Sequence, residues 1–307
     1  MSTKEFLVDF AMGGVAAAIS KTIIAPIERV KLLLQTQHVN PALIAKGGYS
    51  GIGDCFSKCI KEEGVFSLWR GNLANVIRYF PTQAFNFAFK DKLKGYFKKG
   101  VDKKTMKVKY AIASILAGAI GSSMSLTIVY PLDYSRTRLS TDVGKGAKDR
   151  KFNGLLDVMV KSVKADGPLA LYRGYAISIA GIFVYRGCYF GFYDIANMLI
   201  TDNLKVTGFT LRIVKFIIAN CVTTTSGIAS YPIDTVRRRM QMDVGKKVRT
   251  YKGSMHCFTT ILKEEGPNGF FKGCLSNVFR GIGASLVLVM YDDFKALGKK
   301  YLIGNKH

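Results

Sequence analysis

Three copies of one short arrangement carry most of the chemistry open to this sequence. PIERVK begins at Pro26, PLDYSR at Pro131 and PIDTVR at Pro232. Each places a carboxylate two residues after the proline and a cation five residues after it: Glu28 and Lys31, Asp133 and Arg136, Asp234 and Arg237. A proline inside a helix deletes a backbone hydrogen bond and bends the axis. Three helices converging at their bends would bring three acids and three bases together. Around such a ring each acid meets the next repeat's base, giving Glu28–Arg136, Asp133–Arg237 and Asp234–Lys31. Ion pairs that close a pore form a two-state element, because breaking them requires compensating interactions with substrate. Nine residues past the prolines stand Gln35, Ser140 and Gln241. A glutamine there can hydrogen-bond the neighbouring ion pair and strengthen closure.

A second charged ring is expected at the other mouth. Asp91 and Lys94, Asp194 and Asn197, and Asp292 and Lys295 are each three apart, hence neighbours on one helix face. Asn197 makes its predicted contact with Asp292 non-ionic. The substrate site is read from where the threefold pattern fails, since a symmetric scaffold must differ between repeats to hold an asymmetric ligand. Seven residues past Gly71, Gly174 and Gly273 stand Arg78, Gly181 and Arg280; five before the prolines stand Lys21, Leu126 and Gly227. Charges within apolar segments are costly and default to a functional reading. Lys21, Arg78 and Arg280 suit a polyanion such as a di- or triphosphate, with arginine forks on phosphate oxygens. Gly181, with Ile182 and Tyr185, leaves room for a flat base to stack, and Ser230 can hydrogen-bond it. No phosphate-cradling Walker loop, dinucleotide fingerprint or nucleophile–base pair is apparent, so neither ATP hydrolysis nor redox catalysis has its parts, and no cofactor is expected.

The elements that position these residues follow from apolar run length. Residues 110–132 carry no charge, and five further stretches are nearly as clean: 6–27, 73–89, 175–193, 213–233 and 274–291. About 20 predominantly apolar residues span a bilayer, which predicts an all-α membrane protein with six transmembrane helices. The 307 residues are 49% hydrophobic yet hold 45 Lys+Arg against 21 Asp+Glu, a net charge of +24, with mean hydropathy +0.15. Six spans exclude a nucleic-acid binder, so the basicity faces anions or anionic lipid. The six cysteines show no CxxC pairing and read as reduced, packed thiols. The three histidines are scattered and no metal site is expected. No cleavable secretory leader is apparent at the N-terminus.

Internal repetition organises the chain. Downstream of the proline motifs lie EGVFSLWRG, DGPLALYRG and EGPNGFFKG, ending at Gly71, Gly174 and Gly273. Between the two motifs fall YSG, FNG and YKG, ending at Gly51, Gly154 and Gly253. Each repeat (1–100, 101–203, 204–307) reads as span, short amphipathic helix, span. The short helices end near Glu63, Asp166 and Glu265, where the next glycine suits a helix C-terminus, and they lie at the interface.

P-x-[DE]-x-x-[KR] followed by [DE]-G-x-x-x-x-[aromatic]-[KR]-G, three times over, resembles the mitochondrial carrier family along the whole chain. Arg237-Arg238-Arg239-Met240-Gln241-Met242 is similar to the RRRMMM signature of its adenine-nucleotide-exchanging members, with Gln241 replacing a methionine. PIERVKLLLQ at 26–35 and NVIRYFPTQAFNFAFKDK at 75–92 are also close to those members. The resemblance implies a threefold pseudosymmetric six-helix bundle with three short matrix-side amphipathic helices. It implies a place in the inner mitochondrial membrane with both termini toward the intermembrane space, and antiport of ADP and ATP. It adds Asn86, Lys90 and Arg237 to the cavity, and cardiolipin at Gly51, Gly154 and Gly253 and at Gly71, Gly174 and Gly273, where helix starts offer N–H groups to phosphate. Inner-membrane lipid surrounds such a protein, and respiratory-chain or other inner-membrane proteins are further partners to consider. The alternatives are another nucleotide or cofactor carrier (ATP-Mg/phosphate or coenzyme A type), or a proton leak on the same fold.

Overall fold

The computed structural model describes residues 3–97, 106–144, 149–203, 208–246 and 248–281, and these are overwhelmingly helical. Repeat 1 holds α1 (Thr3–Thr36), α2 (Pro41–Ile44), α3 (Ile52–Glu63) and α4 (Asn72–Phe97); repeat 2 holds α5 (Lys107–Ser140), α6 (Leu155–Asp166) and α7 (Tyr175–Asn203). Repeat 3 holds α8 (Gly208–Ala229), α9 (Tyr231–Met242) and α10 (Ser254–Glu265), followed by a helix, α11, over 274–281 that reaches the last described residue. A five-residue 3₁₀ helix follows each short helix, at Val65–Trp69, Pro168–Tyr172 and Pro267–Phe271. Through residue 281 this is the threefold repeat of long helix, short helix and long helix that the sequence predicts.

The prolines act in two ways. Pro26 and Pro131 sit inside α1 and α5, which continue past them. Pro232 instead separates two helices: α8 stops at Ala229, and α9 restarts with proline in its first turn, a position where the missing N–H costs nothing. The kink expected at Pro232 thus falls at Ser230, a one-residue interruption whose own dihedrals stay helical (φ −87°, ψ −4°) and whose carbonyl accepts from Asp234 N at 3.2 Å.

The glycines closing the short helices have φ of +85° at Gly64, +79° at Gly167 and +69° at Gly266, with ψ near 180°. That is the positive-φ extended region open to glycine alone, not the left-handed helical cap. It turns the chain from each short helix into its 3₁₀ segment.

By length and apolar composition two described segments pass as spans, Ile112–Ser140 and Pro168–Tyr193. Outward, Ile19, Ile23, Leu73, Ile112, Ile217 and Leu275 are exposed, the surface that lipid covers. Three satellite clusters fasten each short helix to its repeat, among them Cys55 and Cys59 under Leu33, Val158 under Tyr134, and Cys257 under Val236.

Candidate functional site

The bends of α1, α5 and α9 meet in a closed ring of ion pairs. Arg136 bonds Glu28 and Arg237 bonds Asp133, while Lys31 Nζ lies 2.9 Å from Asp234 Oδ2. Glutamines support two of them: Gln35 Nε2 donates to Asp234 Oδ2 at 3.3 Å, and Gln241 Nε2 donates to Asp133 Oδ2 at 3.3 Å and to the Tyr130 hydroxyl at 3.1 Å. Ser140, at the matching place, makes no such bond; its carbonyl accepts from Arg29 Nε at 3.2 Å.

Successive residues of a helix point about 100° apart, so the three arginines of the 237–239 run do three different things. Arg237 closes its ring pair. Arg238 reaches Asp133 Oδ2 at 3.3 Å and Asp234 Oδ1 at 3.4 Å, joining two pairs. Arg239 turns away to bond Glu265 on α10 and the Gln35 carbonyl of repeat 1. The bridging by Arg238 was not evident from sequence, because threefold counting singles out only one base per repeat.

Next to the ring opens a cavity of about 460 Å³. Its described lining includes Lys21, Lys31, Arg78, Arg136, Arg186, Arg237, Arg238 and Arg280 against only two carboxylates, Glu28 and Asp234. Of the substrate candidates, Lys21, Arg78, Gly181, Ile182, Tyr185, Ser230, Arg237 and Arg280 all line it. Arg78 Nη1 is 3.5 Å from Asp133 Oδ1, so it touches the ring as well as the cavity. Lys21 Nζ lies 5.4 Å over the Tyr79 ring. A Cβ at Gly181 would lie 3.1 Å from the Ile233 side chain, which would have to give way by a few tenths of an ångström. Ser230 donates its hydroxyl to the Ser226 carbonyl at 3.0 Å, leaving only its oxygen lone pairs for a ligand.

Asn86, Lys90, Asp91, Lys94, Asp194, Asn197, Asp292 and Lys295 have side chains outside the described residues. Sequence reasoning missed Ser122, Ser178 and Asn277, and it read Arg186, the one charge within 175–193, as a structural cation near Tyr185. Arg186 donates to Ser122 Oγ at 3.1 Å across the cavity wall, and Arg280 Nε donates to Asn277 Oδ1 at 3.1 Å. Asn75, Ser178 and Asn277 each follow Gly71, Gly174 or Gly273 by four residues, a spacing that would have flagged them. Asn75 Nδ2 donates to Glu28 Oε2 at 2.9 Å.

The two glycine sets differ in structure. Gly51, Gly154 and Gly253 are extended N-caps of α3, α6 and α10 without a side-chain cap. Gly71, Gly174 and Gly273 have φ near +80° and press against the next repeat: a Cβ there would meet the carbonyls of Arg136, Arg237 and Lys31 at 3.0–3.3 Å. Close approach to the ring thus explains the second set by itself. Outside the spans, burial would raise the Glu265 carboxyl, but hydrogen bonds from Arg239 and Lys272 outweigh it and hold the group at about 2.

A threefold bundle with a charged ring at its bends and a basic cavity beside it defines a membrane carrier for anions. The family model described as mitochondrial carrier protein matches residues 2–101, 107–204 and 212–302, and the chain belongs to that family. It is 52% identical over 293 residues to ADP/ATP translocase 3 of Bos taurus, covering 95% of this chain and 97% of that protein. It is 52% identical to ADP/ATP translocase 4 of Macaca fascicularis over 94% of this chain and 90% of that one. Its identity to ADP/ATP translocase 2 of Bos taurus is 51%, over 95% and 97%.

Proposed function

We propose that this chain exchanges ADP for ATP across the inner mitochondrial membrane by alternating access, as a carrier and not as an enzyme. The observation that carries the reading is the cavity with eight cations against two carboxylates, in a chain half identical to ADP/ATP translocases along nearly its whole length. A nucleoside di- or triphosphate carries three or four negative charges, and its phosphates suit Lys21, Arg78 and Arg280. The base enters the slot at Gly181, Ile182 and Tyr185, beside Ser230, with Asn86, Lys90 and Arg237 along the same path.

The chain divides into three repeats at 100/101 and 203/204, with both termini toward the intermembrane space. The ring of Glu28, Lys31, Asp133, Arg136, Asp234 and Arg237, braced by Gln35 and Gln241, is then the matrix gate. Asp91, Lys94, Asp194, Asn197, Asp292 and Lys295 form the opposite gate. Substrate phosphates compete for the ring cations and lower the cost of opening. Exchange of a tetra-anion for a tri-anion moves one net charge, worth about 2.3 kcal/mol per 100 mV, so membrane potential sets the direction. Cardiolipin phosphates occupy the uncapped helix starts at Gly51, Gly154 and Gly253, and reach the neighbouring Gly71, Gly174 and Gly273.

Counterflow in liposomes tests the assignment. Vesicles loaded with ADP should accumulate radiolabelled ADP and ATP and exclude coenzyme A, inorganic phosphate and ATP-Mg. Uptake of any of those three at the rate of ADP would reassign the substrate.

A further inference from the structure

The three seams between repeats are not equivalent, although the ring crosses each of them once. Across the seam between repeats 2 and 3 every reinforcing group is present. Arg237 lies 5.5 Å over the Tyr130 ring, and Gln241 bonds both Tyr130 and Asp133. Arg238 adds bonds to Asp133 and Thr137. Farther out, Arg173 bonds the Tyr251 carbonyl and faces Asp243 at 3.8 Å. Asp133, 2% exposed, receives two arginines and a glutamine from repeat 3.

Between repeats 1 and 2 the tyrosine position holds Ala25 and the glutamine position holds Ser140. Arg136 therefore has neither ring nor brace there. In place of the phenol, a cavity of about 10 Å³ has Ala25, Glu28, Asn72 and Arg136 in its lining, with Arg29 and Arg70 beside them. It has room for one water, and Asn72 Oδ1 is buried with no partner among the described residues. Water beside an ion pair screens its attraction, so less is lost when the pair opens. Arg70 and Asp142, 2.5 Å apart, do hold this seam at its outer rim, Arg29 Nε donates to the Ser140 carbonyl at 3.2 Å, and Arg78 lies 3.5 Å from Asp133, a longer contact than Asp133 makes with repeat 3.

Between repeats 3 and 1 the weakness lies elsewhere. The ring cation is Lys31, 5.0 Å over Tyr231, a point charge and not a fork. The outer rim lacks its acid: Gln37 stands where Asp142 and Asp243 stand in the other repeats. Lys272 bonds Glu265 of its own repeat at 2.8 Å and faces His38 across the seam.

Both seams that bound repeat 1 thus lack a layer that the 2–3 seam keeps. We propose that matrix-side opening begins with repeat 1 parting from repeats 2 and 3, which stay joined through Asp133 until a later step. The proposal rests on the transport reading above.

Spin labels at Lys61, Lys164 and Lys263, exposed and equivalent on α3, α6 and α10, report the three tip-to-tip distances. Each pair is introduced as cysteines in a full-length chain whose six native cysteines are replaced. If that chain does not exchange, an encoded unnatural amino acid carries the label with the cysteines kept. Samples are frozen at intervals after ADP addition and read by pulsed dipolar spectroscopy. The expected early species has the 61–164 and 61–263 distances longer by about 5 Å, one helical turn, with 164–263 unchanged. Three distances lengthening in step, or 164–263 lengthening first, would overturn the proposal. Counterflow on the same labelled chains separates the two readings: no nucleotide exchange indicts the transport assignment, whereas exchange with the wrong order of opening indicts only this one.

Discussion

At the scale of the residue, Arg78 and Arg280 are the sharpest points of the account. Each lines the cavity and is held by an asparagine three residues earlier, Asn75 and Asn277. A hydrogen bond to a charged group contributes about 1.5–3 kcal/mol, so Arg78→Ala and Arg280→Ala should each lower kcat/KM for ADP by about 10- to 100-fold or more. Their thermal stability should remain close to that of the parent. Near-normal uptake by either folded variant would remove these arginines from the site. Gly181→Trp should block exchange without altering charge, because a Cβ there already meets Ile233 at 3.1 Å. Retained transport at unchanged affinity would place the base elsewhere. Glu265 gives a prediction in pH. A carboxylate held near 2 by Arg239 and Lys272, below its ordinary value near 4.5, stabilises the fold above that value and loses its contribution as pH falls toward 2. Measured by thermal melting in a His38→Gln background, which removes the imidazole 3.6 Å from Glu265, the stability gap left by Glu265→Gln should therefore stay constant from pH 8 to 5. A gap closing above pH 5 would show that the carboxylate is not held down.

Helices and their bends set the next scale. Gly174 has φ +83° and sits where a Cβ would come within 3.1 Å of the Arg237 carbonyl. Gly174→Ala should destabilise the closed ring by about 1–2 kcal/mol from backbone strain alone, seen as a lower melting temperature. An unchanged melt would mean that the helix start relaxes freely. Gln241 bonds Asp133 and Tyr130 at once, so Gln241→Met should shift the substrate-free population toward the matrix-open state. Cysteine accessibility from each side of the cavity reads this, and unchanged or reversed accessibilities would deny the brace. Much at this scale was legible because each motif is written three times. The proline register gave the partner of each ring acid, and the [DE]-G register gave the ends of α3, α6 and α10. The interruption at Ser230 was not legible, since Pro232 opens the same P-x-[DE]-x-x-[KR] motif as the two prolines inside α1 and α5. Arg238 joining two pairs depends on where α9 restarts, which composition does not encode.

For the whole molecule, the pattern of apolar runs and repeats specified the architecture, while asymmetry was harder to read. Ala25 and Ser140 differ from Tyr130, Tyr231, Gln35 and Gln241 in plain sight, but their meaning as a weak seam appears only when the cavity between them is seen. Cavity residues such as Arg186 and Ser122 come from different helices of repeat 2, α7 and α5, and their 3.1 Å contact could not be read from spacing along the chain. The central claim is that a basic cavity carries nucleotide polyanions past a ring of ion pairs, one exchanged for another. Its most direct test is the current carried by purified protein in ATP-loaded liposomes on external addition of ADP. The account predicts a current that needs nucleotide on both sides, moves one charge per exchanged pair, and falls by about tenfold or more in Arg78→Ala. A current of equal size without nucleotide, or ADP–ATP exchange that moves no charge, would contradict it.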